Sequence, residues 1–83
     1  MTREQILQHR LYKALCITPP DAVAEMYMSY LDYHYNKKRA SERSLRIRGA
    51  MRNIAKEHKI TLYNMWLILS TVHDKNYEER LAA

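Results

Sequence analysis

The sequence is poor in the residues that form covalent cross-links and phosphate-binding loops. It has one cysteine, Cys16, and one glycine, Gly49, among 83 residues. A single cysteine excludes an intramolecular disulfide, and a domain this small without that cross-link fits a reducing compartment. A single glycine excludes the glycine-rich loops that cradle nucleotide phosphates.

Long apolar runs are lacking too. The sequence has no run of about 18 uncharged apolar residues, the length that a membrane-spanning helix needs. The first five residues, MTREQ, lack the basic-then-apolar profile of a signal peptide. We therefore expect one soluble, cytoplasmic domain over residues 1–83, with a small core and no membrane partner.

Patterns typical of catalytic and metal sites are missing. No two of the four histidines have the i, i+4 spacing that would place a pair of metal ligands on one helix. Asp21, Glu25 and Asp32 are spaced by four and seven residues, which is typical of a solvated helix face rather than a buried acid pair. The sequence predicts a binding protein with no catalytic residues, no metal and no cofactor.

Positive charge is concentrated in the middle third of the sequence. Nine bases lie between positions 37 and 59: Lys37, Lys38, Arg39, Arg43, Arg46, Arg48, Arg52, Lys56 and Lys59. Two acids oppose them, a balance of +7, whereas the rest of the sequence has five bases and seven acids, a balance of −2. Such a segment is typical of a surface that binds a polyanion, and it equally fits a basic solvated helix face.

Helical periodicity predicts two helices in the first half of the sequence. Thr2 and Gln5 have the spacing of a capping box for a first helix over residues 3–16. Thr18 is the expected N-cap of a second helix over residues 19–36, because proline is favoured at the first helical position.

The second half predicts two further main helices and a short C-terminal one. Ser41 is the expected N-cap of the third helix. Gly49 favours a break between a helix over 41–48 and a new one from Ala50; the alternative is close approach of a phosphate or another backbone. Asp74 is the expected N-cap of the short last helix. The fold class is therefore all-α, a small bundle.

Residues 51–70 resemble a helix-turn-helix, the two-helix unit that many repressors dock against DNA. The resemblance is carried by the apolar positions where the two helices and the turn pack: Ile54, Ala55, Ile60, Met65 and Ile68. Thr61 is the expected N-cap of the second helix. The family usually has glycine at the corner, where this sequence has Lys59, and a left-handed backbone is strained for lysine.

In this family the second helix, here about 62–73, supplies the base contacts. Its outward arc is expected to contain Tyr63, Asn64, Leu67, Ser70 and Thr71. The resemblance implies that Asn64 pairs with adenine and that Tyr63 reaches a phosphate or a base. Because the helix contains no Arg, Lys or Gln, it also fits the hydrophobic centre of a bundle. The predicted nucleic-acid-binding residues are Arg43, Arg46, Arg48, Arg52, Lys56, Lys59, Thr61, Tyr63 and Asn64.

The helix over 19–36 carries more aromatic and methionine surface than one small core absorbs. A central helix with tyrosine hydroxyls at the surface explains this pattern, and so does a partner-binding face. A third interpretation is a stacking platform for single-stranded nucleic acid, with Tyr33 and Tyr35 beside the basic run 37–39. The predicted partner-binding residues are Tyr27, Met28, Tyr33, Tyr35, Tyr63 and Leu67.

Two functional hypotheses follow. The first is a small regulatory nucleic-acid-binding protein, a homodimer of the size that phages and plasmids encode, with DNA favoured over RNA. The second is a protein-interaction module or inhibitor that grips a partner, including another copy of itself, through exposed Tyr, Met and Leu side chains. In the second, the basic residues steer the protein to an acidic surface.

Overall fold

Five α-helices and no β-strands make up the computed structural model, which describes residues 1–83. The helices are α1 (Arg3–Gln8), α2 (Arg10–Cys16), α3 (Pro20–Tyr35), α4 (Glu42–Glu57) and α5 (Leu62–Ala82). The all-α bundle expected from the sequence is confirmed. None of the helices combines the length and the apolar character that crossing a membrane requires.

The expected first helix is divided at His9. The capping box of Thr2 and Gln5 is present at the start of α1. His9 then adopts an extended backbone with ψ 141°, and its Nδ1 accepts a hydrogen bond of 3.1 Å from the N–H of Leu11. The histidine therefore ends α1 and caps α2, which the apolar spacing of this segment does not reveal.

The connection from α2 to α3 differs from the expected cap. Thr18 donates its hydroxyl to the carbonyl of Ala14 at 3.0 Å instead of capping α3. Pro19 is the N-cap of α3 and has no side chain able to accept a hydrogen bond. The start of α3 therefore depends on the fixed φ of its two prolines, with Asp21 in the first turn.

The break expected at Gly49 is absent. Helix α4 is continuous from Glu42 to Glu57, and Ser41 caps it by accepting the N–H of Ser44 at 3.1 Å. A Cβ placed on Gly49 would meet no atom within 4 Å. No other part of the protein therefore needs a glycine at this position.

The turn between α4 and α5 has the conformation that glycine usually supplies. Lys59 has a φ of 57° and is the only residue with a positive φ. The N–H of Ile60 bonds to the carbonyl of Ala55 at 3.0 Å, and the N–H of Lys59 bonds to that of Lys56 at 3.1 Å. These two bonds form a Schellman motif, which satisfies the last carbonyls of α4. Thr61 caps α5, as expected, by accepting the N–H of Asn64.

Helix α5 is the centre of the bundle and contacts each of the other four helices. Four of its side chains are fully buried: Met65, Ile68, Leu69 and Val72. Val23 of α3 and Met51 of α4 are fully buried against them in the same core. The helix continues through Asp74 to Ala82, so no separate C-terminal helix forms, and Tyr77 and Leu81 remain exposed.

Candidate nucleic-acid interface

Four cations lie along one side of α4 and the turn that follows it. Arg48, Arg52, Lys56 and Lys59 are spaced by four, four and three residues, and we call them the basic stripe. Arg48 is half-buried and the other three are exposed. The adjoining side of α4, with Met51 and Ala55, faces the core. Packing of the apolar side therefore holds the basic stripe at the surface.

Only one of the nine bases between positions 37 and 59 has an acidic partner. Arg43 is hydrogen-bonded to Glu25 of α3. This hydrogen bond and the positive charge of Arg43 lower the pKa of the Glu25 carboxyl. The same bond and the negative charge of Glu25 raise the pKa of Arg43. The remaining ion pairs join Lys75 to Glu79 within α5 and Arg80 to Asp21. Arg46 and the basic stripe therefore carry charge that no carboxylate within the protein neutralises.

The basic turn between α3 and α4 is fixed by one carboxylate. Asp32 accepts the N–H of Ser41 at 3.1 Å through one oxygen and the side-chain amide of Asn36 at 3.3 Å through the other. Hydrogen bonding from the hydroxyl of Ser44 and the N–H of Ser41 holds the pKa of Asp32 below its ordinary value. Because both ends of the turn bond to Asp32, the run Lys37–Arg39 has a defined position.

Arg48 connects the basic stripe to α3. Its guanidinium carbon lies 4.0 Å from the centre of the Tyr33 ring, a cation–π contact. A cleft of about 170 Å³ opens beside this pair and is lined by Tyr30, Tyr33, His34, Lys37 and Arg48. Two cations and three aromatic or imidazole rings thus share one concave surface.

An unbroken series of ring contacts passes the cleft. We call it the aromatic row: Tyr35, His34, Tyr30, Trp66 and Tyr63. The successive distances between ring centres are 4.9, 6.3, 5.3 and 6.3 Å. Its two ends are exposed, since Tyr35 is 75% and Tyr63 59% accessible. The row therefore crosses from α3 to α5 with solvent-facing rings at both ends.

The rest of the arc expected to face DNA is partly covered. Asn64, Leu67, Ser70 and Thr71 are all half-buried. Leu67 packs against the core, and with Thr71 it lines a cleft beside Ile6 and Leu7 of α1. The hydroxyls of Ser70 and Thr71 both donate to the carbonyl of Leu67, at 3.0 and 2.9 Å. Tyr63 is the only residue of this arc that is exposed.

The other predicted partner-binding residues are divided between the interior and the surface. Tyr27 is half-buried, with its ring centre 4.2 Å from that of His73 and 6.2 Å from that of Trp66. Met28 is 59% exposed and lies with Tyr35 in a cleft of about 580 Å³ between α3 and α4. The predicted set therefore does not form one continuous surface.

Two histidines, His34 and His58, lie outside the buried core. His34 is exposed within the aromatic row. His58 is half-buried, with its ring centre 5.9 Å from that of His9. No group of three or more His, Cys, Asp or Glu residues is arranged to hold a metal ion.

No sequence motif marks Tyr30 and Trp66 as neighbours of the basic residues. The spacings of Tyr30 to His34 and of Tyr63 to Trp66 are four and three residues, so contact within each helix is predictable. Stacking of Tyr30 on Trp66 depends on how α3 crosses α5, which no local pattern specifies.

Comparison of the sequence and structure with protein-family models, curated proteins and solved structures finds no match.

Proposed function

We propose that this protein binds nucleic acid through the basic stripe and the neighbouring Lys37. The observation that carries the proposal is that four cations follow one another along the surface without an acidic partner, whereas Glu25, Glu79 and Asp21 pair with cations elsewhere. Like charges held close together repel one another, and a bound polyanion would relieve that repulsion. Phosphate groups, spaced regularly along a strand, supply such a polyanion.

The geometry favours phosphate contact over base reading by α5. A recognition helix must present side chains with free donors and acceptors to the major groove. The hydroxyls of Ser70 and Thr71 donate to a carbonyl of their own helix, and Leu67 is packed against the core. The helix-turn-helix resemblance predicts a regulatory protein that reads DNA bases with α5. For that role, Tyr63 and Asn64 are the residues of α5 that remain available to contact bases.

A paired charge reversal tests the proposal. Arg48→Glu with Arg52→Glu should weaken binding of a labelled oligonucleotide by roughly tenfold or more at low salt, because two phosphate contacts become repulsive. Arg10→Glu with Lys13→Glu is the matched control, because it makes the same charge change at two exposed positions of α2. Fluorescence anisotropy measures the affinities, and circular dichroism checks that both variants fold. An equal loss in the two variants would contradict the proposal.

A second candidate function is binding of a protein partner at the cleft between α3 and α4. Its support is the exposure of Met28 beside Tyr35 and Leu31 along that cleft, since methionine and aromatic residues are enriched at interface cores. A second copy of the protein is one such partner. Light scattering after size-exclusion chromatography tests this case: a dimer that Met28→Lys converts to monomers supports it, and a monomeric wild type contradicts it.

A further inference from the structure

The aromatic row and the cleft beside it combine two kinds of contact that an unpaired nucleic-acid strand uses. Proteins that bind single strands pair a positive groove, which follows the phosphates, with aromatic rings on which bases stack. Here Lys37 and Arg48 line the cleft, and the row ends in the exposed rings of Tyr35 and Tyr63. The cleft with its two cations therefore lies beside the middle of the row, at Tyr30 and His34, and the exposed rings lie at the two ends of the row.

The interior of the row makes its ends suitable as stacking surfaces. Tyr63 is backed by Trp66 at 6.3 Å, and Trp66 is backed by Tyr30 at 5.3 Å. At the other end, His34 stacks on Tyr30 and meets the ring of Tyr35 edge to face, at an interplanar angle of 87°. A ring supported from behind loses little conformational entropy when a base stacks on it, so more of the stacking energy appears as affinity.

Duplex DNA makes poorer use of these groups. Its bases are already stacked on one another and show only their edges in the grooves. The helix that would have to read those edges is the central helix of the bundle, with Met65, Ile68 and Leu69 fully buried. In a duplex, Tyr35 and Tyr63 would find no free base face.

We infer that the ligand is a single-stranded polynucleotide, whose bases stack on Tyr35 and Tyr63 while its phosphates contact Lys37 and Arg48. This inference rests on the proposed function and names the ligand class for the same surface. The shared chemistry is an unpaired base attached to a phosphodiester backbone, which both RNA and single-stranded DNA provide.

The test compares three probes and two tyrosine positions. The probes are fluorescein-labelled oligo(dT) and oligo(U) of about 15 nucleotides, near the upper site size of a single-strand-binding domain, and a mixed-sequence duplex of the same length. The variants are Tyr35→Leu and Tyr63→Leu, which keep an apolar side chain but remove the ring. Tyr77→Leu is the matched control, since Tyr77 is 60% exposed and takes part in none of the ring contacts.

The inference predicts tighter binding of at least one single strand than of the duplex. Each row variant should weaken single-strand binding by roughly fivefold or more, the loss expected for one stacked base. Tyr77→Leu should leave the affinity unchanged, and Tyr63→Phe should retain it because the ring, not the hydroxyl, makes the contact. Thermal melts of each variant separate loss of binding from loss of fold.

The possible failures are distinguishable. If the duplex binds as tightly as both single strands, or if the row variants match Tyr77→Leu, the inference of an unpaired strand is overturned while nucleic-acid binding stands. If none of the three probes binds at low salt, both the inference and the proposed function are overturned.

Discussion

The guanidinium carbon of Arg48 lies 4.0 Å above the ring of Tyr33 and joins α4 to α3 at the edge of the candidate interface. A planar guanidinium stacks on a ring in a way that the compact ammonium of lysine does not. Arg48→Lys should therefore lower the free energy of unfolding by about 0.5–1 kcal/mol although it keeps the charge. Arg52→Lys, on the exposed part of the basic stripe, should change it by less than about 0.5 kcal/mol. Urea denaturation measures both, and equal effects would show that the stacking contributes nothing.

Lys59 adopts a conformation that glycine tolerates better. Its φ is 57°. A left-handed backbone costs an L-residue roughly 1–2 kcal/mol. Replacement by glycine removes this cost, but glycine loses more backbone entropy on folding, which offsets part of the gain. Lys59→Gly should therefore raise the free energy of unfolding by about 1 kcal/mol, which corresponds to a melting temperature about 4–8 °C higher in a domain of this size. Lys59→Ala separates conformation from charge: it removes the ammonium but keeps the strain, so it should not stabilise. A gain with alanine as large as with glycine would contradict this account.

Gly49 lies within the continuous helix α4, and the space where a side chain would lie is open. Gly49→Ala should stabilise α4 by about 1 kcal/mol, since alanine is the better helix former and its methyl group meets no other atom. Thermal melting followed by circular dichroism checks this. A lower melting temperature would contradict the prediction that alanine fits the helix at this position.

Asp32 gives the protein a defined dependence of stability on pH. Hydrogen bonds from Ser44 and Ser41 lower its pKa in the folded state, so the ionised carboxylate stabilises the fold at neutral pH. That contribution is lost as the pH falls below about 4, through the lowered pKa, because the folded state must then take up a proton.

The variant Asp32→Asn isolates this effect from the other carboxyl groups. Its melting temperature should be lower than that of the wild type at pH 7, and the gap should narrow steadily in acid. A gap that stays constant from pH 7 to pH 2 would show that the carboxylate charge plays no part in fixing the turn over 36–41.

Much of the fold follows from local patterns. Thr2, Ser41 and Thr61 cap the helices that they were expected to cap, because a cap is decided by residues within one turn of it. The spacing of Met65, Ile68 and Leu69 places these apolar residues on one side of α5, and that side is buried in the structure.

Three helix boundaries differ from those expected from the sequence, and each difference has a physical cause. The ring nitrogen of His9 caps α2, a role that the spacing of apolar residues cannot reveal. Asp74 is a good N-cap in isolation, but α5 is already hydrogen-bonded through that position and continues past it. Gly49 weakens α4 without breaking it, because the apolar face on both sides of it is held by the core.

The candidate interface is predictable only in part. The spacing of Arg48, Arg52 and Lys56 places them on one side of a helix whatever the tertiary fold is. Sequence alone does not show that Arg48 stacks on Tyr33 or that Tyr30 meets Trp66, since both contacts depend on how α3 packs against α4 and α5. The same packing covers Leu67 and leaves Tyr63 exposed.

The salt dependence of affinity tests most directly whether the protein binds nucleic acid through the unpaired cations of the basic stripe. Dissociation constants for a labelled oligonucleotide should be measured by anisotropy over a series from low to physiological salt. Each phosphate contact contributes a slope of about −0.7 for a single strand or −0.9 for a duplex in log K against log salt. Contacts from Lys37 and the basic stripe predict a steep negative slope that becomes shallower in the Arg48→Glu, Arg52→Glu variant. Absence of binding at low salt, or affinity that does not change with salt, would contradict binding of nucleic acid through these cations.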